Sequence, residues 1–408
     1  MLFILLVSSS AQSVLTNHDG IIHLDANAIF YVEGDVLITN TGVINNSGTL
    51  FVQNDWINNS VFNVFLNSNP GTVNLFGVNQ SILGATPTKF YNLVTQNVAI
   101  KSMFVDVWVE NELDITDSEI ALNDNILQLY NTDPNSLLWS TGFISGDTIG
   151  GYVTRSTDRT AEYLFPVGSN TLLNNLRAVS FIPSNSDSSV IGVRLAARDA
   201  NFDFTGTSVT GSTGPFPTTQ KDPKILSLNK EFYHHISRFY GTTNGKAKIY
   251  YFDSDDPTSH AFNGVALWNN SIPRWSISDY STFTPAVLSS IGFPDKGKEI
   301  NGFDFSNDVY SLSIEDQINV YVPQIFSPNG DGLNDILYVY GSRVESMTFI
   351  VYNRWGEKVF ESNDNSMGWD GQFRGSGAIG GVYVYYLEAK IFEESEVVTL
   401  KGDITLVR

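Results

Sequence analysis

The chain has 408 residues, a formal net charge of −20 and no cysteine. Its length and its 42% content of hydrophobic residues suffice for roughly two to four packed domains. The missing cysteines exclude disulfides, thiolate metal centres and cysteine nucleophiles together. Residues 1–150 hold two lysines against fourteen carboxylates, which argues against nucleic acid or anionic lipid as partners, since both need clustered Lys and Arg.

Taken in chain order, an apolar stretch over 2–7 runs into Ser8-Ser9-Ser10-Ala11. Small residues at Ser9 and Ala11 suit a signal-peptidase cut, so residues 1–12 read as a signal-peptide remnant lacking its basic start. No apolar run approaches the ~18 residues that a spanning helix needs. From residue 13 to 149 short apolar segments are separated by Asn and Gly, as in Gly34-Asp35-Val36-Leu37-Ile38, Gly42-Val43-Ile44-Asn45-Asn46 and Gly48-Thr49-Leu50-Phe51-Val52. Helix periodicity is absent, and the Asn45-Asn46 and Asn58-Asn59 steps suit corners where Asn tolerates left-handed backbone. The pattern predicts a β-solenoid, with a meandering β-sandwich as the competing arrangement. The stretch from Gly71-Thr72-Val73-Asn74-Leu75 through Phe90-Tyr91-Asn92-Leu93 resembles repetitive β regions of secreted surface proteins of the Bacteroidota.

Over 150–316 basic residues return and the strands lengthen, with Val190-Ile191-Gly192-Val193-Arg194-Leu195 and Lys246-Ala247-Lys248-Ile249-Tyr250-Tyr251 alternating clearly. This region reads as a β-sandwich, and its Gly-, Ser-, Thr- and Pro-rich stretch 206–219 as a surface excursion or linker. Tyr163-Leu164-Phe165-Pro166-Val167-Gly168 resembles a strand-end motif of the same surface proteins. Trp268 and Trp275 are candidates for stacking sugar rings, although large aromatics in sandwich strands more often fill a core. Asp253, Asp255 and Asp256 offer oxygens to Ca²⁺ or, more ordinarily, to water. His234 and His235 fall on opposite faces of a strand and so do not share one metal. No nucleophile elbow, phosphate loop or His-Glu-x-x-His motif occurs, so the chain is expected not to be an enzyme.

The densest motif lies in the last segment, 317–408. In Phe326-Ser327-Pro328-Asn329-Gly330-Asp331-Gly332-Leu333-Asn334-Asp335, two glycines alternate with Asn and Asp. Side-chain oxygens of Asn329, Asp331, Asn334 and Asp335 are placed as in a calcium loop, although the bidentate Glu of an EF-hand has no counterpart. An Asx-stabilised turn explains the same residues, and no other cofactor is expected. Met347, Phe349 and Val351 alternate with Ile350 and Tyr352, which predicts a strand; Asn353-Arg354-Trp355-Gly356 then forms a hairpin turn with Gly356 left-handed. Trp355 and Trp369 both sit beside turns, where an indole can close the end of a small core.

Five ordered blocks carry a resemblance: the 326–335 run, Phe349-Ile350-Val351-Tyr352-Asn353-Arg354-Trp355-Gly356-Glu357-Lys358-Val359-Phe360, Gly368-Trp369-Asp370-Gly371, Gly381-Val382-Tyr383-Val384-Tyr385 and Lys401-Gly402-Asp403-Ile404-Thr405-Leu406-Val407-Arg408. Together they resemble the gliding-motility-associated C-terminal domain family, type B targeting domains of the type IX secretion system. The stretch Gly375-Ser376-Gly377-Ala378-Ile379-Gly380 departs from the charged or proline-containing segment that many relatives carry there. The resemblance implies an immunoglobulin-like β-sandwich that targets its passenger to the outer-membrane translocon. The implied partners are the translocon channel and an associated small outer-membrane β-barrel protein, with recognition by Asn329, Asp331, Arg354 and Trp369. It also implies a protein of the cell surface or medium, adhesin-like or accessory to gliding. Two alternatives stand beside this: a stable component of the translocon or motility apparatus, and a secreted carbohydrate-binding protein.

Overall fold

Short alternating segments broken by Gly and Asn can bury their apolar side only by stacking on the next copy of themselves, and the first half of the chain does this. The computed structural model describes residues 13–65, 70–146, 151–203, 214–258, 260–285, 292–316, 320–341, 344–391 and 397–408; the expected signal remnant, 1–12, lies outside them. The chain is all-β, with an N-terminal β-solenoid of about six turns. Val14–Asn17, Asp35–Asn40, Trp56–Ser60, Gln80–Gly84, Ile100–Met103, Glu119–Ala121 and Phe143–Ser145 stack in parallel as one seven-stranded sheet. Ile29–Val32, Thr49–Val52, Thr72–Leu75, Thr88–Thr95, Val107–Asp114, Ile126–Leu129 and Tyr152–Thr157 stack in parallel in a second sheet. Val36, Trp56, Ile82 and Ile144 of the first share a core with Leu50, Leu75, Val109 and Leu129 of the second. Each such aliphatic side chain, fully buried, contributes about 1.5–3 kcal/mol.

The rung length explains why no repeat is obvious in the sequence. Partners Val36↔Trp56, Thr72↔Asn92 and Val107↔Leu127 lie 20 residues apart, whereas Trp56↔Ile82 and Ile126↔Tyr152 lie 26 apart. The asparagines divide into two roles. Left-handed corners fall at Asn27, Asn40, Asn97 and Asn123, with φ of 67°, 52°, 70° and 45°. The expected corner pairs Asn45-Asn46 and Asn58-Asn59 lie instead within strands. There the buried Asn46 and Asn58 side chains accept from the Gly48 and Ser60 N–H groups and donate to the Thr72 and Pro87 carbonyls, satisfying backbone that a corner leaves unpaired.

At Tyr152–Thr157 the pairing switches: this strand is parallel to Ile126–Leu129 on one side and antiparallel to Ser189–Ala196 on the other. The second solenoid sheet thus runs on through Ser189–Ala196, Tyr233–Tyr240, Val309–Glu315, Gly264–Asn269 and Arg274–Ile277 as one fourteen-stranded sheet. A five-stranded sheet, Tyr163–Phe165, Val179–Pro183, Gly245–Tyr251, Lys296–Phe303 and Tyr280–Phe283, packs over it to complete the sandwich. Ile191, Val193 and Ile236 belong to the same core as the solenoid's Leu129 and Val153. The border drawn at 149/150 therefore marks a change of strand pairing inside one compact unit that ends at Glu315. The described part of the 206–219 stretch is no free excursion: Phe216 is buried with Tyr233, Trp268 and Trp275 on the sheet's other face.

The second compact unit begins at Asp316. Its five-stranded sheet runs Ile325–Phe326, Val397–Leu406, Gly381–Ile391, Val344–Tyr352 and Lys358–Ser362. Met347, Phe349 and Val351 point inward, as their alternation predicts. The other layer is built from short pairings, Tyr321↔Tyr340, Leu337↔Trp369 and the hairpin of Gln372–Phe373 with Ser376–Gly377. A separate core of Leu337, Phe349, Trp369, Leu387 and Ile404 lies between the layers.

Candidate functional site

Strand order brings most of the C-terminal motifs to one end of their unit. Ile325–Phe326 runs parallel to the last strand, with Phe326 opposite Leu406, so the 327–335 loop leaves beside the chain terminus. Tyr352 pairs with Val384 and Gly381 with Leu406, which puts the 353–357 turn and the start of Gly381–Ile391 at that same end. Contacts link these pieces in sequence. Arg408 Nη2 donates to the Gly371 carbonyl at 3.0 Å, and its guanidinium covers Gly377. Arg374 bridges from the small hairpin to Glu357 at 2.7 Å.

The 353–357 turn is held by its own first residue. Asn353 Oδ1 accepts from the N–H groups of Trp355 and Glu357, and the backbone closes through Asn353 N to Glu357 O. Gly356 has φ 77°, the left-handed position expected of it. This geometry leaves the Trp355 side chain 79% exposed, touched by the Arg354 guanidinium 5.0 Å from its ring centre. Trp369 is the opposite case. It is fully buried, packs on Phe326 and Tyr383, and donates its indole N–H to the Gln372 carbonyl at 2.9 Å. Trp369 thus closes the core as expected, but its burial corrects the expectation that it serves recognition, and Trp355, expected to close the core as well, covers nothing. Side-chain alternation could not distinguish them, because Trp355 lies in a turn and Trp369 in an isolated bridge to Leu337, neither of them in a regular strand.

The 326–335 loop spends its oxygens on itself. Asp335 accepts from the Gly330 and Gly332 N–H groups at 2.6 and 2.8 Å, and these two bonds hold its carboxyl below the usual range. Asp331 accepts from Leu333 N and from the Asn329 side-chain amide, and Asn329 Oδ1 from Asp331 N. Gly330, Gly332 and Asn334 have φ of 83°, 86° and 53°, so Asn334 supplies conformation and its backbone carbonyl, which takes the Ser327 N–H. This is the Asx-stabilised turn. Among the described residues no group of three or more His, Cys, Asp or Glu side chains converges to hold a metal ion. Asn329 and Asp331 remain exposed at the same end as Arg354.

The candidates in the first unit, Asp253 apart, are buried or half-buried. Trp268 and Trp275 pack edge to face at 5.7 Å within a buried cluster, and the Trp275 indole donates to the Phe216 carbonyl. Asp253, Asp255 and Asp256 do not converge on a metal site: Asp255 pairs with the buried Arg177, and Asp256 and the solvent-exposed Asp253 pair with Lys296. Their partners lie far along the chain, so local sequence carried no sign of them. His234 and His235 do face opposite sides. His234 is pushed down to about 4 by burial and, neutral, donates from Nε2 to the Arg177 carbonyl at 2.8 Å. His235 lies 3.4 Å from Asp203 and 3.9 Å from Asp308, beside Arg194. Burial alone would raise Asp203, but hydrogen bonding and charge from His235, with the charge of Arg194, outweigh it and leave the carboxyl well below its usual range. Sequence inspection missed this network, which lies under the segment bearing Phe216; the juxtaposition of Arg194 and His235 arises only from strand register.

No curated protein matches this chain. Among the described residues no helix is long and apolar enough to cross a membrane. Residues 320–406 match the family model described as the CHU_C Type IX secretion signal domain, the same unit that the fold sets apart with its own core. The C-terminal unit is a type IX secretion signal domain, and the protein is cargo of that system, exported through the outer membrane.

Proposed function

We propose that the exported passenger is a surface-binding protein, adhesin-like or accessory to gliding, that works by contact and not by catalysis. The observation that supports this is an aromatic ladder on the outward side of the solenoid. Tyr31 stacks on Phe51 with ring centres 4.4 Å apart, and Phe76 meets both edge-on at about 6 Å. Tyr31 is 58% exposed and Ile29 beside it 65% exposed, a concentration of apolar surface that a soluble protein seldom displays without a partner. Delivery proceeds through the outer-membrane translocon channel with the associated small β-barrel protein as receiver, and the passenger stays at the cell surface or is released.

Binding of the purified full chain to whole cells and to polysaccharide-coated surfaces tests the reading. The Y31S/F51S double variant is expected to lose binding while keeping its melting temperature; equal binding by both proteins overturns it. A stable translocon component would instead co-purify with the channel at fixed ratio. The carbohydrate-binding alternative can no longer rest on Trp268 and Trp275, which are core residues.

A further inference from the structure

The turn end of the C-terminal unit combines three features that folding alone does not require. Trp355 is the most exposed large aromatic among the described residues and covers no part of the core. Ile379 is 81% exposed in the segment that departs from the family pattern, its backbone carbonyl pinned by the Tyr383 hydroxyl at 2.6 Å. The third feature is charge. Residues 316–408 carry thirteen carboxylates and seven cationic side chains, and of the arginines at this end Arg374 and Arg408 are held by Glu357 and by the Gly371 carbonyl, whereas Arg354 has no such partner among the described residues.

The carboxylates there are already engaged. Asp331 and Asp335 cap loop amides, Asp370 accepts from Gln372 N, and Glu357 pairs with Arg374. Arg354 has no acidic partner among the described residues and lies against Trp355. Trp with Arg is the composition of a binding hot spot, and a turn already fixed by Asn353 loses little freedom on docking.

We propose that Arg354, Trp355 and Ile379 form the docking knob of the secretion signal. Trp355 enters an apolar recess on a protein of the export machinery, and a carboxylate at the rim of that recess meets Arg354. The charge pattern selects a protein over a lipid surface: the acidic unit is repelled by anionic headgroups, whereas a single Arg354 without an acidic partner beside an exposed Trp355 fits a carboxylate at the rim of a protein recess. The proposal rests on the secretion-signal reading of residues 320–406.

The test is export of the full-length protein from a host that runs the type IX system, measured as the fraction outside the cell against the fraction held in the periplasm. Deletion of 320–406 serves as the reference. W355A and R354E are each expected to cut export by at least ~10-fold, the size of a hot-spot loss. The melting temperature of each purified variant should match that of the wild type, and W355F should restore part of the export. If the deletion blocks export while W355A and R354E pass normally, the knob is refuted and the secretion-signal reading stands; if the deletion itself is exported, that reading fails. Equal losses of export and melting temperature would also overturn the knob, since they would mark Trp355 as a folding residue. So would Trp355-dependent pelleting of the full chain with phosphatidylglycerol vesicles, which would make the partner a membrane.

Discussion

Replacing Trp369 by alanine separates it from Trp355 by stability. Trp369 is fully buried between Phe326 and Tyr383, and its indole N–H satisfies the Gln372 carbonyl. Truncating such a side chain costs about 3–5 kcal/mol through lost burial and the cavity left behind. A unit of this size has about 5–14 kcal/mol of stability in all, and each kcal/mol moves its midpoint by about 4–8 °C. W369A should therefore lower the melting of the C-terminal unit by roughly 15–30 °C. Differential scanning calorimetry of the full chain reads it, because the two units have separate cores and the first should melt unchanged. Trp355→Ala removes an exposed ring and should shift neither transition beyond the ~0.5 kcal/mol typical of surface changes. A W369A shift smaller than that of W355A would refute the assignment of the two indoles.

Acid should weaken the first unit through His234. Its folded value of about 4 lies below the ordinary 6.5, so the unfolded chain takes up a proton first and stability falls as pH drops from 6.5 towards 4. The full loss is about 3 kcal/mol, and H234Q should flatten that part of the profile in urea melts at stepped pH. For the 326–335 loop, excess EDTA should leave the C-terminal transition in place and D335A should lower it, since Asp335 serves the Gly330 and Gly332 amides. A drop in melting temperature on chelation would show that the loop holds calcium after all.

Local pattern carried the class of structure. Alternation over Met347 to Val351, the Asn-Gly punctuation of the first 130 residues and the left-handed demand at Gly356 are written in neighbouring residues, and backbone sterics read them directly. The ordered C-terminal blocks carried the export route in the same way. The rung spacing was half legible. Thr72, Asn92, Asn111 and Asn131 recur at 19 or 20 residues and form one hydrogen-bonded ladder, but the 26-residue rungs on either side conceal the period.

The tertiary structure decided everything that depends on which distant residues meet. Burial is a property of both partners in a contact, so Trp369 and Trp355, alike in local sequence, part company once Phe326 and Tyr383 close over one of them. The same holds for charge: Arg177 finds Asp255, Lys296 finds Asp253 and Asp256, and Arg194 meets His235 only because strand register sets them side by side. Composition supplied the acid and base; the register of the sheets determined which pairs are shielded from water, and with that which groups remain on the surface for a partner.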